Sequence, residues 1–460
     1  MAAPSREKIV QRLRDVIPVA QIETEPSRID DSAWDALSEG RLPPGKSSEF
    51  SLPLCLVRPL STSDVQALVR FANEQRVPLV PYGGGSGLMG GALSIRPGIV
   101  VDMRAMDGIL EVDADSRSAR AQAGVVLESL EKRLNESGFI LGHDPWTLPV
   151  ATLGGAISTN SMGYRGGAYG SMGEQVLGLE AVVGDGEILR TRGVAKSSAG
   201  IDVNAFFIGG EGCFGIITEA TIRIFPRPES RALDAFSFDS FERGYDAIRR
   251  LFVRGLRPAL LDFGDYGEDD AGSVLYIGFE GPSGVVAAEA RLAAAICGKD
   301  GTRLPADEAQ RFFRDRHTIA RRFMENRRER RDRSRNGVYR DWIHVALPAG
   351  RVLAFKAAAA DLIRRRGARL RESGLWVQPE LFSMRLEAAG EGAQALLQAT
   401  VAELVALVQA MGGSMEYTHG VGIKLAPMMA REHGYGLEIM RRIKRLLDPN
   451  GILNPGKMAL

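Results

Sequence analysis

Residues 81–91, Pro-Tyr-Gly-Gly-Gly-Ser-Gly-Leu-Met-Gly-Gly, hold six glycines in the nine positions from Gly83 to Gly91. Such a stretch leaves backbone N–H groups free of side-chain cover, the chemistry that wraps an anionic group such as a pyrophosphate. Gly85 to Gly90 also fits the dinucleotide pattern Gly-x-Gly-x-x-Gly, but that pattern works only where a helix opens on its last glycine. No helical periodicity follows. Pro97-Gly98 leads instead into the apolar run 99–103, so the spacing predicts a loop between two strands. The Gly-Lys-Ser/Thr ending of a nucleotide-hydrolysing loop is missing too.

Two more glycine-rich stretches follow, residues 142–173 and 206–219. Further on, residues 311–340 carry twelve arginines against four acids, Asp315, Glu325, Glu329 and Asp332. Most of those arginines are expected on a solvated helix face. One or two entering a site would clamp a carboxylate or phosphate in a bidentate way. A single histidine between small residues, His419 in Glu416-Tyr-Thr-His-Gly-Val-Gly422, completes the set.

The elements that must position these residues are legible in outline. Residues 6–16 read as an amphipathic helix and 52–59 as a strand. Ser61-Thr-Ser-Asp64 caps a helix over 65–75, and a strand at 77–80 delivers the first glycine loop. Two short strands fill 109–122. Val126, Leu130 and Leu134 recur every four residues in a helix over 125–137, and Gly184-Asp-Gly186 turns a hairpin. From 229 the pattern changes to strands alternating with helices, in two β-α-β-type arms around the arginine-rich segment.

Composition bounds the function. At 460 residues the chain suggests two or three domains. Fifty-eight basic and 57 acidic residues, a net charge of +1, give no global pull toward nucleic acid. The first twenty residues lack a signal-peptide core, and no uninterrupted apolar stretch is long enough for a bilayer. Cys55, Cys213 and Cys297 are scattered thiols without a Cys-x-x-Cys pair, which fits a reducing compartment. A cytoplasmic location is the expectation.

The motifs Pro-x-Gly-Gly-Gly-x-Gly-Leu, Gly-Gly-x-Ile-x-Thr-Asn and Gly-x-Glu-Gly-x-x-Gly-Ile-Ile-Thr-Glu-Ala, with the tail Leu447-Asp-Pro-Asn-Gly-Ile-Leu-Asn-Pro-Gly-Lys457, resemble the signatures of the vanillyl-alcohol-oxidase type (PCMH-type) of FAD-binding oxidoreductase. They occur in the family order from about residue 52 to the end. The resemblance implies an α+β fold, with a two-part FAD-binding domain that is not Rossmann and an α+β substrate, or cap, domain. Boundaries are placed at 1–50 for an N-terminal segment, 51–228 for the FAD domain and 229–425 for the cap. Residues 426–460 are read as a helix and tail returning to the FAD domain.

By that resemblance Pro81, Tyr82, Gly83, Gly84, Gly85, Ser86, Gly87 and Leu88 hold the pyrophosphate. Pro149, Thr152, Gly154, Gly155, Ser158, Thr159, Asn160, Gly163, Tyr169, Gly170 and Ser171 follow the ribityl chain and isoalloxazine. Glu211, Gly212, Gly215, Ile216 and Ile217 approach the flavin or adenine, and Asn454 and Lys457 close the site from the tail. The first loop has no His or Cys for covalent attachment. His143 is the nearby histidine and is expected to hydrogen-bond beside a dissociable FAD.

Glu416 to Gly422 resembles the family's Glu-His-Gly-Ile-Gly motif, which implies that His419 faces the flavin and acts catalytically, with Tyr417 as the alternative proton acceptor. Related enzymes place a substrate arginine shortly before the strand matching residues 339–347, which implies Arg327 and Arg328. Dehydrogenases of D-lactate, glycolate and D-2-hydroxyglutarate carry His-x-Gly-Asp-Gly-Asn-x-His and a Glu as ligands of a divalent metal. The matching stretch here, residues 376–386, has no histidine, and the Glu position is Thr418, so no metal is expected.

Alkyl-dihydroxyacetonephosphate synthase shares the His-Gly-Val-Gly motif and also lacks that metal site, but has three histidines where this chain reads Tyr417-Thr418-His419. The leading expectation is an FAD-dependent, metal-independent oxidoreductase acting on a small hydroxylated anion, a 2-hydroxy acid or related alcohol. A flavin-dependent transferase and a non-catalytic flavoprotein subunit are the alternatives. The acceptor stays open among oxygen, a quinone and a protein. A homo-oligomer is expected, and a membrane surface is the further partner considered for residues 311–340.

Overall fold

The computed structural model describes residues 5–42, 52–266, 272–325 and 337–460. The first sheet has four strands in the order Ile22–Glu23, Cys55–Val57, Ile99–Asp102, Leu79–Tyr82. Cys55–Val57 and Leu79–Tyr82 both run parallel to Ile99–Asp102, which explains their near-continuous apolar sequence. Helix Thr62–Gln75 makes the crossover to Leu79–Tyr82. Ser61 and Asp64 form a reciprocal capping box at its start, and Val65, Leu68, Val69 and Ala72 are buried at helical spacing. The glycine loop returns from Tyr82 to Ile99 with no helix between, so this is not a Rossmann crossover.

Ile22–Glu23 pairs antiparallel with Cys55–Val57, and helix Arg6–Leu13 sends Ile9, Val10 and Leu13 into the same core. The boundary drawn at residue 50 therefore falls inside one folded unit, because the sheet needs the N-terminal strand to cover its edge.

A second, antiparallel sheet runs Ile109–Asp113, Ser118–Gln122, Ile216–Arg223, Val176–Val182, Ile188–Arg190. Gly186 turns its last hairpin at φ 84°, open to glycine without steric cost.

The cap is one seven-stranded antiparallel sheet ordered Gly301–Arg303, Ser230–Phe238, Ser273–Gly281, Leu260–Tyr266, Arg369–Trp376, Leu381–Ala389, Val338–Ala346. Each arm is a split β-α-β unit, and the arms join where Leu260–Tyr266 pairs with Arg369–Trp376. Helix Phe241–Val253 buries Phe241, Tyr245, Ile248 and Leu251 on this sheet, each contributing about 1.5–3 kcal/mol. Among the described residues one helix, Ala393–Ala410, is long and apolar enough to cross a membrane. It buries Leu397, Val401, Leu404, Val405 and Val408 in the cap core. Helices Ala306–Asp315 and Thr318–Glu325 lie between the arms. The chain end returns to the first sheet, where Leu453 bridges Leu79 in parallel.

Candidate active site

The three glycine-rich stretches come from different elements and meet face to face. A Cβ on Gly83 would lie 2.3 Å from Thr152 Oγ1, and one on Gly84 would lie 2.0 Å from the Val150 carbonyl oxygen. Backbone therefore packs on backbone where the first loop crosses the second stretch, and only glycine admits that approach. The second stretch opens into the short helix Leu153–Ser158, capped by Thr152, whose Oγ1 accepts from the Gly155 N–H. The third carries a left-handed run, Gly209, Glu211 and Gly212 at φ 72°, 46° and 72°.

Together they line a solvent-open cleft of about 1260 Å³. Its lining by three separate stretches of chain suits an elongated group such as a dinucleotide. Pro81, Tyr82, Gly83, Gly84, Gly85, Ser86 and Gly87 border it, as do Thr152, Gly154, Gly155, Ser158 and Thr159. So do Glu211, Gly212, Gly215, Ile216, Ile217 and His419. The exposed main chain, with few side chains in the way, fits the pyrophosphate and flavin of FAD.

Leu88, Pro149, Asn160, Gly163, Tyr169, Gly170, Ser171, Asn454 and Lys457 do not border the cleft, and several have evident supporting contacts. Asn160 Oδ1 accepts from the Gly173 N–H at 3.0 Å. A Cβ on Gly163 would meet the Asp144 backbone at 2.6 Å, and Tyr169 packs on Phe225 with centroids 4.4 Å apart. Ser171 caps helix Met172–Gln175. Asn454 Nδ2 ties Gly91 and Glu211 through their carbonyls, at 2.8 and 2.6 Å. Lys457 is buried, donates to the Leu93 carbonyl at 2.7 Å, and is pushed down to about 8 by burial.

His143 also stands behind the wall rather than beside the cleft. It is fully buried, with Nε2 2.9 Å from the Oγ of Ser161, a residue that does border it. Arg327 and Arg328 lie outside the described residues.

Sequence reasoning missed Asp35, Met89, Trp146, Met162 and Trp376 on the cleft wall. It also missed the latch that holds Trp146. The buried Asp144 carboxylate takes Arg316 Nε at 3.0 Å and His317 Nε2 at 2.8 Å, so the cap helices anchor the wall at Pro145–Thr147. Burial alone would raise that carboxyl, but His317, Arg316 and Arg165 outweigh it and hold it well below the usual range.

Around His419 the structure assembles a polar cluster from two segments. His344, on strand Val338–Ala346, brings its ring to 4.4 Å from that of His419 and 5.9 Å from that of Tyr417. His419 Nδ1 lies 3.3 Å from Glu416 Oε1. Tyr417 Oη, His344 Nδ1 and Glu416 Oε2 are buried without hydrogen-bond partners among the described residues. Burial first, then His419, Arg41 and Lys424, push His344 well below its ordinary value, so its ring is neutral. Tyr417 is pushed well above its own by burial, Glu416 and Asp262. That environment disfavours the phenolate, while the neutral hydroxyl can still donate and accept hydrogen bonds.

No metal was expected because residues 376–386 lack histidine. Ligand-capable atoms of His344, Glu416 and His419 nonetheless lie within 4.8 Å of one another. Glu416 Oε1 accepts the N–H groups of Tyr417, Thr418 and His419, while its Oε2 has no hydrogen-bond partner among the described residues.

Asp341 sits on the same strand and takes Arg41 Nε and Lys424 Nζ, both at 2.7 Å, with all three side chains 5% exposed or less. Burial pushes the Asp341 carboxyl up, and Lys424 and Arg41 more than offset it. The depressed carboxyl contributes stability above its unfolded range near pH 4, and this is lost as pH falls through the folded value. Asp341→Asn leaves two buried cations sharing no counter-ion and is expected to cost about 3–5 kcal/mol, read as a fall in the denaturant midpoint.

Residues 53–192 match the family model described as an FAD binding domain, and residues 227–458 the one described as FAD linked oxidases, C-terminal domain. The chain is 28% identical to glycolate oxidase subunit GlcD of Bacillus subtilis (strain 168), over 89% of each chain. It is 29% identical to D-lactate dehydrogenase of Archaeoglobus fulgidus, over 92% of this chain and 96% of the relative. Among solved structures, an alkyldihydroxyacetonephosphate synthase superposes with a TM-score of 0.79 at 20% identity, covering 98% of this chain and 85% of that one.

Proposed function

The chain belongs to the FAD-linked oxidases of the vanillyl-alcohol-oxidase type, and from that premise we propose that it oxidises a small hydroxylated anion, a 2-hydroxy acid or related alcohol. Bound FAD supplies the hydride acceptor, and the protein supplies orientation and proton handling. The observation that carries this reading is a set of buried polar atoms around His419 that have no hydrogen-bond partner among the described residues, Tyr417 Oη, His344 Nδ1 and Glu416 Oε2. Buried polar groups without partners cost stability, so their persistence in one cluster suits a substrate that completes them.

In this reading His419 takes the hydroxyl proton. Glu416, 3.3 Å from Nδ1, orients the ring and steadies the proton once it arrives. Tyr417, protonated throughout, donates to a substrate oxygen. Neutral His344 packs against the His419 ring and narrows its orientation. We read His344, Glu416 and His419 as a hydrogen-bonding cluster rather than a cation site. The Glu416 oxygen nearest His419 is committed to three backbone N–H groups, and Arg41 and Lys424 already act electrostatically on His344.

With no His or Cys in the first loop and His143 behind the cleft wall, FAD is expected to be dissociable. After acid precipitation the yellow colour should pass to the supernatant. Colour retained in the pellet would show a covalent bond.

The test of the function is anaerobic titration of the yellow protein with D- and L-2-hydroxy acids, followed by absorption. Bleaching by one of them supports the reading. A yellow protein bleached by none, yet active in acyl-to-alkyl exchange, would replace it with the transferase reading, which the shared His-Gly-Val-Gly motif favours.

A further inference from the structure

The segment carrying His419 has no regular secondary structure, yet seven of its eight backbone N–H groups from 417 to 424 have partners. Tyr417, Thr418 and His419 donate to Glu416 Oε1. Ile423 and Lys424 donate to the Met89 carbonyl, at 3.0 and 3.1 Å. The two between them are held by a residue about two hundred positions earlier: Val421 donates to Glu211 Oε1 at 2.5 Å and Gly422 to Oε2 at 2.8 Å.

Glu211 is built for that contact. Its backbone is left-handed at φ 46°, a conformation a non-glycine residue keeps only when its surroundings impose it. Its N–H donates to the Ser158 carbonyl at 2.9 Å, and its carbonyl accepts the Asn454 amide at 2.6 Å. A Cβ on Gly420, the residue after His419, would lie 2.6 Å from Glu211 Oε1. The carboxylate therefore fills the space directly under the loop, between the second glycine stretch and the chain's tail.

We propose that Glu211 is the positioning residue of the site: by accepting both the Val421 and Gly422 N–H groups, its carboxylate sets where His419 stands over the cleft. The inference rests on the reading of His419 as proton acceptor. A carboxylate accepts both bonds at once, whereas a carboxylic acid turns one oxygen into a donor and leaves an N–H facing it.

The groups acting on Glu211 are Lys457 from the tail, Asp35 from the N-terminal segment, and Cys213 on its own strand-entry turn, besides the two loop N–H groups. Burial raises its carboxyl to about 7, with Asp35 acting in the same sense and the N–H groups and Lys457 opposing. The sign has two consequences. A raised carboxyl contributes fold stability that is present below about pH 4.5 and lost as pH rises through 7. Loop order needs the ionised form and runs the other way, increasing through 7.

The experiment is hydrogen–deuterium exchange of the peptide spanning 419–424 in the FAD-loaded protein. It is run from pH 6 to 8 with correction for intrinsic rates, for the native chain and for Glu211→Gln. In parallel, flavin reduction is followed with sodium D-lactate, sodium L-lactate and sodium glycolate. Protection of the native loop is expected to rise about tenfold across pH 7, and Glu211→Gln should lose it at every pH. Reduction should slow about 10- to 100-fold in Glu211→Gln with KM within about threefold, and the part of its acid limb set by Glu211 should vanish.

Unchanged loop protection and unchanged reduction in FAD-loaded Glu211→Gln overturn the proposal, as does a loosened loop with native reduction kinetics. If Glu211→Gln does not fold, the native chain decides alone, since flat protection across pH 6–8 also overturns it. The His419 reading fails separately, through native reduction rates in His419→Ala, and that result leaves the exchange outcome standing.

Discussion

His419→Ala is expected to keep its FAD and lose flavin reduction by about 10²- to 10⁴-fold, the usual contribution of a positioned acid–base group. The cofactor should stay because His419 is one residue on a wall formed mainly by three glycine-rich stretches. The fold should stay because its side chain is 16% exposed and Nδ1 makes no aligned hydrogen bond among the described residues. The loss should appear in the reduction half-reaction and leave substrate affinity largely intact, since Tyr417 and His344 remain to hold the polar end. His344→Ala is the informative companion. It removes the ring packed 4.4 Å from His419 without removing the proton acceptor, so a smaller fall is expected. Native rates of flavin bleaching in His419→Ala would end its assignment.

Gly84→Ala is expected to yield a folded but colourless protein. A Cβ at that position falls 2.0 Å from the Val150 carbonyl oxygen and 3.2 Å from the Ala151 Cα. Both are backbone atoms, so no rotamer change can relieve the overlap. The first loop and the second stretch must part by about an ångström, and overpacking of this kind costs roughly 1–3 kcal/mol. The displaced backbone is what meets the cofactor, so the cost falls on FAD affinity, a loss of about 5- to 150-fold. The cap, with its own core, should be untouched. Gly350→Ala is the control, since a Cβ there meets nothing within 4 Å. Absorption of the purified proteins decides the matter, and a Gly84→Ala protein with native FAD content would mean the loop does not contact the cofactor as argued.

Much of the local structure was legible because its causes are local. Ser61 and Asp64 announce their capping box at the spacing the N–H groups require, and helix Thr62–Gln75 follows. Asp185-Gly186 announces its hairpin through a left-handed glycine. The glycine stretches declare themselves because close backbone approach excludes every other residue type, so their function is written in their composition. Boundaries were less clear. Helix 65–75 begins at Thr62, since a cap fixes the start more firmly than the first apolar residue does. The tail residues Asn454 and Lys457, expected to close the site, donate to carbonyls of the neighbouring loops and do not border the cleft.

The polar cluster behaves differently. His344 sits in a strand that alternates between faces, and nothing within its own segment marks it. Only the pairing of Val338–Ala346 with Leu381–Ala389, and the bridge from Ala346 to Ser414, carry it to His419. Asp341 meets Arg41 across 300 positions and Lys424 across 83. Asp144 meets Arg316 across 172 and Glu211 meets Val421 across 210. A charged residue in a sequence carries no record of its partner, because Coulomb attraction acts through space and is indifferent to chain separation.

The sequence by itself determined that this chain builds a backbone-lined cleft for FAD, because steric exclusion at each glycine is a property of single residues and their immediate neighbours. Which side chains gather around His419, and which carboxylate accepts the N–H groups of its loop, was decided only by the tertiary structure, where burial and distance set the pairing of groups that the chain order keeps far apart.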